Sequence, residues 1–255
     1  MKTLILITGK EKYLRVTLFG LRTVGNYEGD ITVMKHQDDV FTNEFEQELN
    51  KFNIKIIPTV KKYFFVDINK LFMQHEFLKS NKDNYDVIML LGQDMIIQSD
   101  INEVFNIAYE NKKLNMVYEI EGDWDHKLGE WWEVSRLQEK YSFQNEEWWN
   151  TVKEYNVHNP EFMVGVPQAL LEVHDFLFSY LEKYPIAGLQ EIILGLYKLK
   201  YSDRFNDLDR HWFFYTQKLR DGKRVTIWHL CAEMIYPEKV ANCRQERKSG
   251  DERYL

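Results

Sequence analysis

Tyr85-Asp86-Val87-Ile88-Met89-Leu90-Leu91-Gly92-Gln93-Asp94-Met95-Ile96-Ile97-Gln98-Ser99-Asp100-Ile101-Asn102-Glu103-Val104-Phe105 is the most structured reading frame in this chain. Val87 to Leu91 is an unbroken apolar run of strand length, as expected for a strand buried on both faces. It runs out into Gly92-Gln93-Asp94, then a second apolar run, then an Asp-Ile-x-x-x-Phe helix start. An acid at the carboxyl end of a buried strand suits a hard divalent cation or a diphosphate. A turn aspartate is the plain reading of the same residue, and it is the reading for Asp86 at the other end of the strand.

Short apolar runs alternate with helical patterns on both sides of this stretch. Leu4 to Ile7 reads as a strand, and Lys12 to Val24 as a helix with Leu14, Leu18 and Leu21 on one face. Asp30 to Met34 is a second strand. Asn43 is placed to cap a helix through Lys51, with Glu46 three residues on. Asn53 to Pro58 (strand), Asn69 to Ser80 (helix), Ile101 to Asn111 (helix) and Asn115 to Ile120 (strand) follow. This rhythm predicts a doubly wound parallel sheet with ligands at the carboxyl ends of its strands. From 121 to 158 the rhythm breaks. That segment holds five of the seven tryptophans, and two short helices are expected, near 130–141 and 145–155. Phe162 to Val166 (strand), Pro167 to Lys183 and Leu189 to Lys200 (helices) and Thr226 to His229 (strand) close the pattern. We expect one domain over 1–237, an insertion at about 121–158, and a charged tail over 238–255.

The chain has 255 residues and a net charge of −7. Residues 119 to 147 alone carry nine acids against three bases. An acidic protein lacks the basic face that general nucleic-acid binding needs. Two cysteines, Cys231 and Cys243, exclude a disulfide scaffold and a four-cysteine zinc site. No apolar run approaches a membrane span. The apolar start is too short for a signal peptide and meets Lys10, Glu11 and Lys12 at once. Together these predict a cytoplasmic protein. There is no GxGxxG, no GxxxxGK[ST], no HExxH and no GxSxG.

The Tyr85–Phe105 stretch resembles the metal-binding region of GT-A-fold glycosyltransferases, in particular the family 8 group of glycogenin and bacterial galactosyltransferases. That pattern runs Tyr-Asp, apolar strand, Leu-Asp-x-Asp, apolar run, Asp-Ile-x-x-Leu-Phe. The likeness extends along most of the chain. Leu18 to Ile31 looks like the family's early helix and second strand. His158 to Gly165 is similar to its Asn-x-Gly strand, Leu189 to Leu194 to its Asp-Gln-x-x-Leu helix, and Thr226 to His229 to its late strand ending in a metal-binding histidine.

The resemblance implies a GT-A-type, Rossmann-like, mostly parallel sheet with flanking helices and a Trp-rich helical insertion. It implies transfer of a sugar from a nucleotide-diphosphate donor, a UDP-sugar, to a carbohydrate or other hydroxyl, with retention. Thr8 and Gly9 would lie at the nucleotide, Lys70 near it, and Gln93 at the donor sugar. Gln190 would lie at the reacting sugar, and Asp94 at the metal or diphosphate. His229 would be a second ligand of Mn²⁺ or Mg²⁺. Three positions depart from the pattern. Gly92 replaces the first Asp of the motif, Leu189 replaces the helix Asp, and Cys231-Ala232-Glu233 replaces the Lys-Pro-Trp-like segment after the histidine. With one carboxylate left, Lys or Arg side chains are the alternative neutralisers of a diphosphate. Trp131, Trp132, Trp148 and Trp149 either pack the insertion onto the core or offer a stacking platform to an acceptor sugar. A GT-A-like module that binds carbohydrate or protein without catalysis is the alternative function, favoured by Gly92. A sugar-nucleotide-forming nucleotidyltransferase is disfavoured, because no Gly-rich basic loop follows the first strand.

Overall fold

The structure, a computed structural model, describes residues 1–60, 62–63, 66–118, 120–121, 124–125, 127–130, 145–181, 189–214 and 223–229. The helix expected near 130–141, apart from Glu130, together with Trp131, Trp132, Cys231, Cys243 and the 238–255 tail, lies outside the described residues.

The central sheet has seven strands. Six are β1 (Thr3–Thr8), β2 (Asp30–His36), β3 (Ile54–Thr59), β4 (Val87–Leu91), β6 (Leu114–Val117) and β10 (Phe205–Leu208); β9 (Phe162–Gly165) is the seventh. Their spatial order is β10-β6-β9-β4-β1-β2-β3. All pair in parallel except β9, which lies antiparallel between β4 and β6. The sheet is therefore mostly parallel rather than wholly so.

The two-residue period of the strands sorts the core onto two faces. Leu4 and Leu6 of β1 face one cluster, together with α3 (Val66–Asn81), α6 (Pro167–Leu181) and α7 (Leu189–Lys200). Ile5 and Ile7 face the other, with α1 (Glu11–Thr23), α2 (Asn43–Lys51) and α4 (Asn102–Asn111). Leu14, Leu18 and Leu21 make the buried stripe of α1, as their spacing predicts.

Some expectations change. The cap of α2 is Thr42, whose hydroxyl accepts from the Phe45 amide; Asn43 is the first helical residue. Strand β6 ends at Val117, and Ile120–Glu121 (β7) instead pairs with Trp124–Asp125 (β8). The helix expected at 145–155 is a single turn, α5 (Trp149–Val152). Trp149 is buried in the main core, with Trp148 edge-on to it at 6.1 Å. A Cβ on Gly195 of α7 would collide with Leu128 and press on Val152, so the glycine lets this segment sit close on α7. A second sheet was not anticipated: β5 (Met95–Ile97), β11 (Phe213–Phe214) and β12 (Ile227–His229). Its strand β12 matches the strand read at Thr226 to His229, but two- and three-residue partners carry too little pattern to show that they pair with it.

Candidate active site at the carboxyl edge of the sheet

A cavity of about 350 Å³ opens where β1 and β2 end. Its lining comes from five segments. Thr8 ends β1, and Gly9 and Lys10 follow it. Met34, His36, Asp38 and Asp39 lie at and beyond the end of β2. Asn69, Lys70 and Met73 belong to the start of α3. Gln93 and Glu161 come from the β4–β5 turn and the approach to β9. Thr8, Gly9, Lys70 and Gln93, four residues picked out in the sequence, thus meet in one place. Gln190 sits half-buried in the first turn of α7 and is not among the lining residues.

The β4–β5 turn is clamped from below. The buried Thr17 hydroxyl of α1 donates to the Gln93 carbonyl at 2.6 Å and accepts from the Met95 amide at 3.0 Å. The Gln93 side chain folds back over the end of β1, and its Oε1 accepts from the Lys10 amide at 2.7 Å. A Cβ on Gly9 would collide with that side chain, so the turn needs a glycine for close approach.

Asp94 and His229 are brought together by strand register. β5 and β12 pair antiparallel with Met95 opposite His229. His229 Nε2 lies 3.4 Å from Asp94 Oδ1, and both residues are 5% exposed. Burial pushes the Asp94 carboxyl up. The hydrogen-bonding contact from His229, with the Lys70 charge beyond, outweighs this and holds it below the ordinary carboxylate range. On its other side, His229 Nδ1 lies 3.3 Å from Asn159 Nδ2. The Asn159 Oδ1 accepts from the Glu161 amide at 2.7 Å, which fixes which way the Asn159 side chain faces. The amide nitrogen therefore donates to Nδ1, and the ring proton sits on Nε2, toward Asp94.

Glu161 was not singled out in the sequence, yet it fills the gap at Gly92. The Gly92 amide donates to the Glu161 carbonyl at 2.9 Å. A Cβ on residue 92 would collide with Glu161 Oε2. That same oxygen pairs with Lys70 Nζ. His36, Asp38 and Asp39 were also missed. Their signal was positional: His36 ends the second strand of an α/β sheet and Asp38 and Asp39 follow it, where acids commonly meet ribose hydroxyls.

No family model and no curated protein sequence matches this chain. Solved structures do, 275 chains in all. One is the crystal structure of mouse xyloside xylosyltransferase 1, apo form. It covers 89% of this chain and 96% of its own, with a TM-score of 0.55 and 15% sequence identity. At that identity the likeness establishes the fold: this chain has the GT-A, Rossmann-like glycosyltransferase fold. Fold alone does not carry function, which rests on the site. Among the described residues no helix is long and apolar enough to cross a membrane.

Proposed function

We propose that this protein is a nucleotide-sugar-dependent glycosyltransferase that binds its donor in the cavity at the carboxyl edge of the sheet. One observation carries this reading: Thr8, Gly9, Lys70 and Gln93, from three separate segments, line a single cavity on a GT-A fold. That edge is where open α/β sheets bind ligands. Thr8, Gly9 and the acids Asp38 and Asp39 would face the base and ribose. Lys70 would meet the diphosphate, and Gln93 the donor sugar. Following the family 8 resemblance, the donor is a UDP-sugar and transfer proceeds with retention. A carbohydrate hydroxyl accepts the sugar, with Gln190 near the reacting centre. Trp148, half-buried and packed on the core, would offer its exposed edge to an acceptor, whereas Trp149 is 4% exposed.

The test is a thermal-shift panel of UDP-, GDP- and CMP-sugars with the full chain. A ligand that binds only the folded state must raise the melting temperature; at a hundredfold excess over Kd the gain is about 2.7 kcal/mol. We expect a shift with UDP-sugars, followed by release of UDP when a carbohydrate acceptor is supplied. No shift with any of the three classes would overturn the reading.

A further inference from the structure

The GT-A fold implies a divalent cation between acidic side chains and the donor diphosphate, and the residues of this chain fit one poorly. A histidine that ligates a metal normally gives its other ring N–H to an acceptor. Here the other nitrogen of His229 faces a donor, the Asn159 amide, whose orientation the Glu161 amide fixes. Opening Nε2 to a metal would require a proton on Nδ1, against that donor, or a turned Asn159, against the Glu161 N–H. The first acid of the motif is Gly92, and the carboxylate that crosses over it, Glu161, is already paired with Lys70. Among the described residues no three His, Cys, Asp or Glu side chains are grouped to hold a metal ion.

The same geometry offers a replacement. Lys70 lines the cavity with its side chain 16% exposed, so its ammonium is largely withdrawn from bulk water. An ammonium has three donors, and Glu161 engages one direction of it. Glycine at 92 is what lets Glu161 reach across to it. We infer that this cavity takes a nucleoside diphosphate without a divalent cation, the Lys70 ammonium, aimed by Glu161, standing in for the metal. This rests on the nucleotide reading above. Glu161 is a positioning residue: it holds Lys70 while partly cancelling its charge.

Isothermal titration of the full chain with UDP, in EDTA and in millimolar MnCl₂, tests this. Kd should agree between the two conditions within about twofold. Lys70→Gln should raise Kd about tenfold or more in both, and Lys70→Arg should stay within about threefold of the parent. Glu161→Gln keeps an acceptor for Lys70 but removes its negative charge, so UDP should bind about threefold tighter. A purely structural glutamate would not produce that sign, and the sign decides the matter even if Lys70→Gln fails to fold. UDP binding that requires Mn²⁺ would overturn the inference and keep the nucleotide reading. So would a Mn²⁺ site, titrated without nucleotide by electron paramagnetic resonance, that Asp94→Asn abolishes. UDP binding in neither condition would overturn the nucleotide reading itself.

Discussion

Of the three buried histidines that face an aspartate among the described residues, His75, His158 and His229, the last two are served by one stretch of chain. His158 Nε2 lies 2.7 Å from Asp207 Oδ1, and Lys198 Nζ holds the same carboxylate at 2.6 and 2.8 Å. His229 and Asp94, by contrast, stand 3.4 Å apart beside the cavity. Asn159, the residue after His158, holds the ring of His229, and Glu161 holds Lys70. At the β9–β10 side the lysine and the histidine converge on one aspartate. At the cavity they are split between two carboxylates. The first arrangement uses up its charges internally. Burial holds His158 below the ordinary histidine range even against the pull of Asp207, so His158 is a neutral donor and Lys198 is the charge partner. The second places its lysine–glutamate pair on the wall of the cavity. Similar residue types thus make a self-contained clamp in one place and, in the other, part of the wall of the candidate site, where Lys70 lines the cavity.

Acid should break the interior first, and this is the largest effect we expect. His174 is fully buried and is held down to about 4 by loss of solvation. Its folded pKa lies below its unfolded one, so the unfolded chain takes up a proton first as pH falls. The stability is present above about pH 6.5 and drains away toward pH 4, by about 3 kcal/mol in full. His158 adds to the loss in the same direction. Asp207, held down to about 2 against its own burial by His158 and Lys198, contributes above about pH 4 and is lost only below that. Urea midpoints at pH 7.5, 6 and 5 should fall steadily. A flat series would mean that these histidines are charged in the folded protein.

The paired substitutions Asp207→Asn and Asp94→Asn put the comparison to a direct test. At Asp207 the amide can satisfy His158 or Lys198 but turns a donor on the other. We expect a loss of about 2 kcal/mol, below the range for fully buried pairs because this carboxylate is 38% exposed. At Asp94 the amide oxygen can still accept from His229, and the change should stay within about 0.5 kcal/mol. Equal losses at the two sites would erase the distinction between clamp and site.

The sequence made some of this legible and hid the rest for physical reasons. Val87–Leu91 and Leu4–Ile7 were readable because strands covered on both faces must be apolar throughout. The placement of Asp94 followed from its position at the end of such a strand, and its pairing with His229 came through the resemblance. Glu161 was invisible. Its importance depends on a missing side chain at Gly92, 69 positions earlier in the chain, and on Lys70, 91 positions away. Strand β10 was missed because Asn206 and Asp207 interrupt its apolar residues, as an edge strand permits. His158 and Asp207 therefore gave no sign of meeting. Period and burial write themselves into local sequence, whereas charge partners brought together by topology do not.

The smallest expected effect is a local version of the same contrast, between two neighbouring residues that look equally able to do one job. Thr42 and Asn43 both qualify as helix caps by type. The structure uses Thr42: its hydroxyl accepts from the Phe45 amide at 3.2 Å and donates to Glu11 Oε1 at 2.8 Å, while its own amide donates to Glu11 Oε2 at 2.7 Å. Thr42 therefore joins the start of α2 to the first turn of α1, and Asn43, exposed, contributes no cap. Thr42→Ala should cost about 1 kcal/mol in urea denaturation, the usual loss for a cap of this kind. Asn43→Ala should fall within about 0.5 kcal/mol of the parent, because alanine suits the first helical position at least as well. A larger loss at Asn43 than at Thr42 would move the start of α2 by one residue and free Thr42 and Glu11 from each other. In that case the path leading from β2, past Asp38 and Asp39 into α2, would be set by something other than this cap.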